Sequence, residues 1–382
     1  MRTAVSDMAR AKRQKVSSSK RWVVKIGSAL LTENSSGLHQ QAMTGWARQV
    51  AQLMAAGRSI TLVSSGAVAE GLIRLDWSSR PREIARLQAA AAVGQSGLIR
   101  CWEEAFSETG RIAAQVLLSG TDIQSRQRYL NARAALHALL SLGTVPIINE
   151  NDTVATEEIR LGDNDTLAGQ VVNLLDADLL VILTDQAGLC EEDPRHNPKA
   201  KLVEEADVQD PHLRQAAAGS AGELGRGGMI TKLRAAEQAA RSGADTIIAD
   251  GRMPEVLYRV AAGEAVGTLL KSGHSVQAAR KNWLVGLPPS GALVLDDGAV
   301  LALCKEGRSL LPVGVVDVQG EFERGDTVSC LNAAGTEVAR GLANYGATAV
   351  QRILGCASSD IEQKLGYRDE EELIHRNNLV LM

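Results

Sequence analysis

The residues able to carry chemistry are lysines, carboxylates and amides set beside glycines. Lys25 stands near the end of an apolar run, "RWVVKIG", with Gly27 and Ser28 close behind it. Lys232 follows "GELGRGGMIT", where four glycines fall between residues 222 and 228. From Glu150 to Asp165 stand six carboxylates (Glu150, Asp152, Glu157, Glu158, Asp163, Asp165) with Arg160 the only basic residue among them. Two pieces of that stretch nearly repeat each other, "NEND" and "GDND". Two further polar turns follow apolar runs: "LVSSGAVAEG", with Ser64, Ser65 and Gly66, and "VILTDQAGL", with Thr184 and Asp185.

Each feature alone has an ordinary explanation. Serine and aspartate cap helices, and a lysine after a strand can simply face water. Together they are the parts for phosphoryl transfer, which needs positioning and charge neutralisation more than covalent help. Glycine-rich turns before helices offer backbone N–H groups to phosphates. Carboxylates orient lysines or hold Mg²⁺ through water. Asp and Asn side by side suit an amino-acid substrate, a carboxylate for its ammonium and amide donors for its carboxylates. No histidine or cysteine sits in these clusters. A kinase acting on a hydroxyl wants a proton acceptor, whereas a carboxylate substrate, with a pKa of about 4, is already ionised. The parts therefore favour transfer to a carboxylate, giving an acyl phosphate. The GK of a P-loop, the GxGxxG of a dinucleotide fold and the spacing of an EF-hand are all missing.

These residues need strands and helices to position them, and the pattern supplies both. "RWVVKIG", "SITLVSSG", "RIAAQVLLS", "TVPIIN", "DLLVILTD" and "ADTIIAD" read as buried strands. Between them lie helical stretches: one closed by Gly57, a long one from Arg82 with a break expected near Gly94, and others opening at "DTLAG" and "GGMITK". Apolar strands alternating with helices predict an α/β fold, a mostly parallel sheet covered by helices on both faces. Ligands in such folds bind at the carboxyl ends of the strands, where the polar clusters lie. After Gly291 the texture changes to short strands with turn signals, a small β-rich domain. The expected division is a basic, disordered tail over 1–20, a catalytic domain over 21–272, a linker over 273–290, the β-rich domain over 291–370 and a tail over 371–382.

Bulk properties narrow the class. The chain has 382 residues, 45% hydrophobic and 23% charged, with net charge −4. Aromatic residues are only 3%, so the core must be packed largely from Leu, Val, Ile and Ala. No run approaches the roughly 20 apolar residues of a membrane span. Five scattered cysteines without a CxxC pair argue for a reducing, cytoplasmic setting and against a zinc site.

Beyond these generic features, several motifs are specific. "VVKIGSALLT", "VSSGAVAEG", "AAVGQSGL", "NARAAL", "PIINENDTVAT", "LGDNDTLAG", "LTDQAGL" and "GRGGMITKLRAA" closely resemble, in order, those of the glutamate 5-kinases of the amino acid kinase family. "GALVLDDGAVLAL", "SLLPVGV", "GEFERGDTV" and "ARGLANY" resemble a PUA domain. The resemblance implies phosphorylation of L-glutamate by ATP with Mg²⁺ to L-glutamyl 5-phosphate, the first step of proline synthesis. It further implies inhibition by proline and a homo-oligomer (tetramer or dimer), and because acyl phosphates hydrolyse and cyclise readily, a handover of the product to a glutamyl phosphate reductase is expected. By motif match, Lys25 and Lys232 would neutralise the moving phosphoryl group and Asp165 would orient both. Ser65, Asp152 and Asn164 would hold glutamate, and Asp163 would steady the loop or Mg²⁺ waters. Lys25, Gly27, Ser28, Thr184 and Asp185 would meet ATP, together with Arg226, Gly227, Gly228, Met229, Ile230, Thr231 and Lys232. No protein metal ligand is assigned. Three positions depart from the family's usual residues: Arg226 for Thr, Ile230 for a small residue and Ser28 for Thr. The rival readings are an aspartate or N-acetylglutamate kinase on the same fold, and an RNA-associated role of the PUA domain. Charge speaks against RNA: residues 291–355 carry five Lys or Arg against eight Asp or Glu.

Overall fold

The computed structural model describes residues 13–33, 37–154, 164–194, 196–197, 199–218, 228–273, 284 and 287–382. The chain divides into two compact units, Met1–Gln124 with Asn131–Val276, and Ser125–Leu130 with Gln277–Met382.

The first unit is built on strands β1 (Arg21–Ile26), β4 (Ser59–Val63), β5 (Ala113–Leu118), β6 (Val145–Glu150), β7 (Leu179–Thr184), β8 (Glu205–Asp207), β9 (Asp245–Asp250) and β10 (Thr268–Lys271), with a small ribbon of β2 (Thr32–Glu33) and β3 (Gly37–Leu38). The sheet order is β5-β6-β4-β1-β7-β9-β10-β8. Every pairing is parallel except β9 with β10. This is the mostly parallel sheet expected of uninterrupted Val, Ile and Leu runs. β6 and β7 are buried along their whole length, as a strand covered on both faces must be. The strand order runs outward in both directions from the β1–β7 pair, so the crevice at their carboxyl ends is where a ligand fits best. Lys25 lies there, in register with Val63 of β4 and Ile182 of β7.

Helix α1 (Gln40–Ala55) buries Met43, Trp46, Ala47, Val50 and Leu53 at helical spacing. His39 caps its start through the Ala42 N–H, and Gly57, at φ +89°, closes its end as expected. Helices α2 (Ala67–Arg74) and α3 (Ile84–Ser107) pack on each other. The break expected near Gly94 does not occur; α3 is continuous. The glycines serve a different purpose. A Cβ on Gly94 would lie 1.8 Å from the Ala67 carbonyl oxygen, and one on Gly71 would lie 1.7 Å from that of Ala90. Only glycine at both positions lets the two backbones touch. The low aromatic content also misleads in part, because Trp22, Trp102 and Phe106 are fully buried in the core.

Residues 13–20, read from sequence as part of a disordered tail, are folded against the unit. Gln14–Ser18 form a short helix with Val16 buried. The guanidinium of Arg13 is buried and donates to the carbonyls of Glu204, Glu264, Val266 and Gly267. Lys15 pairs with Asp245 at 3.0 Å. The basic character that marked this stretch as a tail instead supplies its anchors; residues 1–12 lie outside the described set.

The second unit holds a five-stranded sheet of β11 (Gly291–Leu295), β12 (Val315–Gly320), β13 (Thr327–Leu331), β14 (Glu337–Leu342) and β15 (Leu379–Leu381), in the order β12-β11-β13-β14-β15. Two readings are corrected. The second half of "ALVLDDGAVLAL" is a helix, Asp297–Glu306, started by Asp296, whose carboxylate accepts from the Ala299 N–H at 2.7 Å. Residues 379–381, assigned to a tail, pair with β14 as the edge strand of this sheet. Among the described residues no helix is long and apolar enough to cross a membrane.

Candidate active site

The site forms where four strand ends meet two helix starts. Lys25 is the fifth residue of β1, buried by the neighbouring strands. Asp165 opens helix α4 (Asp165–Leu175), and Lys232 lies in the first turn of helix α5 (Met229–Ala240). The fold brings all three together. Lys25 Nζ is 2.5 Å from Asp165 Oδ1 and Lys232 Nζ is 3.0 Å from Oδ2. The Thr231 hydroxyl also donates to Oδ2, at 2.9 Å. Asp165 has no exposed surface, and both lysines are buried. It does not cap its helix; its charge is spent on the lysines.

Burial alone would raise the Asp165 carboxyl. The ammonium groups of Lys25 and Lys232 outweigh burial and hold it well below the usual carboxylate range. Two ammonium groups thus converge on one buried carboxylate. Two cations gathered at the strand ends are placed to meet a phosphate. The start of α5 fits the same ligand: Gly228 is its N-cap residue with no side chain to cap it, the Thr231 N–H turns back to the Gly228 carbonyl, and the N–H groups of Met229 and Ile230 face the end where an anion binds.

The remaining candidates fall around this cluster. Gly27 follows β1 and donates to the Leu183 carbonyl at 3.0 Å, and Ser28 is exposed at the next turn. Thr184 ends β7; its hydroxyl meets Asp185 Oδ1 at 3.2 Å, and Asp185 is exposed. Ser65 is buried at the end of β4, and Asp152 is half-buried in the turn after β6. Gly228, Met229 and Ile230 belong to the cap and first turn of α5. Thr231, expected on the nucleotide, has its hydroxyl against Asp165 Oδ2 and the Gly228 carbonyl. Arg226, Gly227, Asp163, Glu157, Glu158 and Arg160 lie outside the described residues.

Asn164 is fixed by a network that the sequence did not announce. Its Nδ2 donates to the Ser64 carbonyl and to Asn149 Oδ1, both at 2.5 Å. Its amide is therefore not an open donor for substrate carboxylates, as the sequence reading had it. Asn149 Nδ2 in turn donates to Gln95 Oε1 at 3.2 Å. Trp102 Nε1 donates to Ser64 Oγ at 3.0 Å. Gln95 and Trp102 come from α3, far from the polar motifs. Their one signal is a glutamine in the otherwise alanine- and glycine-rich "AAAAVGQSG".

A sheet with buried lysines and an aspartate at its strand ends, beside an uncapped helix start, defines a phosphoryl-transferring fold, and comparison gives it a family. The chain belongs to the amino acid kinase family, whose model matches residues 20–250, and residues 291–365 match the PUA domain. Among curated proteins it is 59% identical to a glutamate 5-kinase of Stutzerimonas stutzeri (strain A1501), over 97% of this chain and 100% of that one. It is 57% identical to a glutamate 5-kinase of Pseudomonas aeruginosa (strain UCBPP-PA14), with the same coverage. A glutamate 5-kinase of Thioalkalivibrio sulfidiphilus is 56% identical over 97% of this chain and 99% of that one.

Proposed function

We propose that this kinase transfers the γ-phosphoryl group of ATP to the side-chain carboxylate of L-glutamate. The observation that carries the reading is the buried Lys25–Asp165–Lys232 cluster, which gathers two ammonium groups at the strand ends. Identity of 56–59% to glutamate 5-kinases over nearly the whole chain supports the choice of acceptor.

In the reaction, a glutamate carboxylate oxygen forms a bond to the γ-phosphorus as the bond to the β-phosphate oxygen breaks. The products are ADP and glutamyl 5-phosphate, and no proton has to move. Lys25 and Lys232 stabilise the negative charge on the transferring group and the leaving oxygen, in a buried site where such help is strongest. Asp165 holds the two ammonium groups in place, and Thr231 holds Asp165. Ser65, Asp152 and Asn164 hold glutamate. Gly27, Ser28, Thr184, Asp185 and the stretch from Arg226 to Lys232 hold the nucleotide. Mg²⁺ would come with ATP and supply further neutralisation of the polyphosphate charge, beside Lys25 and Lys232.

The same reading places the enzyme in the cytoplasm at the start of proline synthesis, with proline as inhibitor. It makes the protein a homo-oligomer coupled to a glutamyl phosphate reductase. It assigns residues 21–272 to catalysis, 273–290 to a linker and the unit from residue 291 to a structural or regulatory role. The test is ADP release with ATP, Mg²⁺ and glutamate, aspartate, N-acetylglutamate or UMP in turn, with hydroxylamine to trap an acyl phosphate and proline in a parallel series. Glutamate-dependent hydroxamate, lowered by proline, is expected. Turnover with another acceptor alone would keep the fold and overturn the substrate.

A further inference from the structure

We infer that Gln95 is a positioning residue that steadies the Asn149–Asn164 amide pair, through which the site presents a carbonyl oxygen to the acceptor substrate, and so favours an acceptor bearing an ammonium group. This deepens the reading above and rests on it for the identity of the acceptor.

Amide orientations are usually inferred rather than seen, but here backbone groups decide each one. The atom of Asn164 that lies 2.5 Å from the Ser64 carbonyl must be the nitrogen, because that carbonyl can only accept. The atom of Asn149 that lies 3.0 Å from the Glu150 N–H must be the oxygen, because that N–H can only donate. Asn149 Oδ1 therefore also receives Asn164 Nδ2. Both hydrogens of the Asn164 amide are then used. What remains is Oδ1, an acceptor without a partner among the described residues, on the residue next to Asp165. An acceptor at that point suits an ammonium and repels a carboxylate.

Gln95 completes the relay. Its Nε2 lies 3.4 Å from the Glu150 carbonyl, which fixes that atom as the donor. Its Oε1 then accepts from Asn149 Nδ2 at 3.2 Å and from Gln115 Nε2 at 3.3 Å. If Gln95 loses that oxygen, Asn149 loses the acceptor for its amide nitrogen and is held only by the Glu150 N–H and Asn164, so the pair that presents the Asn164 oxygen loosens. The close contact of α2 and α3 at Gly71 and Gly94 brings Gln95 to this position, one residue beyond Gly94.

The test compares wild type with Gln95→Leu and Gln95→Glu, using glutamate and glutarate, which lacks the ammonium group. Gln95→Leu should raise KM for glutamate about tenfold, the worth of one positioned polar contact, with KM for ATP unchanged. It should also narrow the glutamate-to-glutarate ratio of kcat/KM about tenfold. Gln95→Glu keeps the acceptor oxygen and should recover part of both. A ratio left unchanged, with both substrates equally impaired, would reduce Gln95 to a structural role and overturn the inference. A second readout is independent of turnover. In ¹⁵N spectra of the full-length protein, the side-chain amides of Asn149 and Asn164 should shift and lose protection from exchange in Gln95→Leu; unmoved resonances would sink the relay. Should wild type fail to phosphorylate glutamate while these resonances move, the proposed substrate falls and the relay stands.

Discussion

At the scale of single residues, the site turns on Asp165 serving two lysines at once. Replacing Lys25 or Lys232 with alanine is expected to lower kcat by about 100-fold or more, as for other preorganised charges, read in the hydroxamate assay. Asp165→Asn should cost stability as well, since it removes the charge paired with two buried lysines; about 3–5 kcal/mol is the scale for breaking such a pair. The pH dependence follows from the direction of the shift. Burial opposes it, but the two lysines hold the folded carboxyl below its unfolded value. Its contribution is then full above about pH 4 and is lost as pH falls towards the folded value. Urea unfolding of wild type and Asp165→Asn should differ most near neutral pH, and the gap should close in acid. The acids, lysines and glycine turns of this cluster were all legible in sequence, because their types are unusual at strand ends. Gln95 and Trp102 were not: a single glutamine or tryptophan on a long helix gives no sign of the strand end it reaches.

At the scale of elements, strands were easier to read than helix interiors. The strands β1, β4, β6, β7 and β9 have apolar centres and are buried over nearly their whole length, and cover on both faces explains them. Gly94 was legible only as a weak point, since sequence shows that a glycine is present and not what lies opposite. The structure places a backbone carbonyl there. Gly71→Ala and Gly94→Ala should each destabilise by about 1–3 kcal/mol, the cost of overpacking a rigid contact, measured as a drop in thermal midpoint. Alanine at Gly45, which has nothing within 4 Å of a Cβ, is the control and should do no harm. In the second unit, "DDGAVLAL" was read with the strands because its apolar residues crowd together. The Asp296 cap, which turns it into a helix, depends on a backbone geometry that composition does not reveal.

At the scale of the whole molecule, the two-part organisation was visible as a change of texture near residue 272. The fate of the basic N-terminal stretch was not, because its charges found acceptors far away in sequence. Arg13 binds four carbonyls from two separate segments. Arg13→Ala should destabilise the protein by about 1.5–3 kcal/mol, the range for hydrogen bonds to a charged group, in thermal or urea melts. Activity at low temperature should persist, since no active-site contact is removed.

Trp102 carries a practical consequence. Its indole is fully buried, stacks near Phe106 with ring centroids 5.9 Å apart, and is tied to Ser64, the residue whose carbonyl holds Asn164. A substrate that draws on Asn164 pulls on the same residue that the chromophore is bonded to. Acceptor binding is therefore expected to shift the emission of Trp102, one of five tryptophans, and the part of a glutamate-induced change that disappears in Trp102→Phe would report occupancy without a label, a coupled enzyme or turnover.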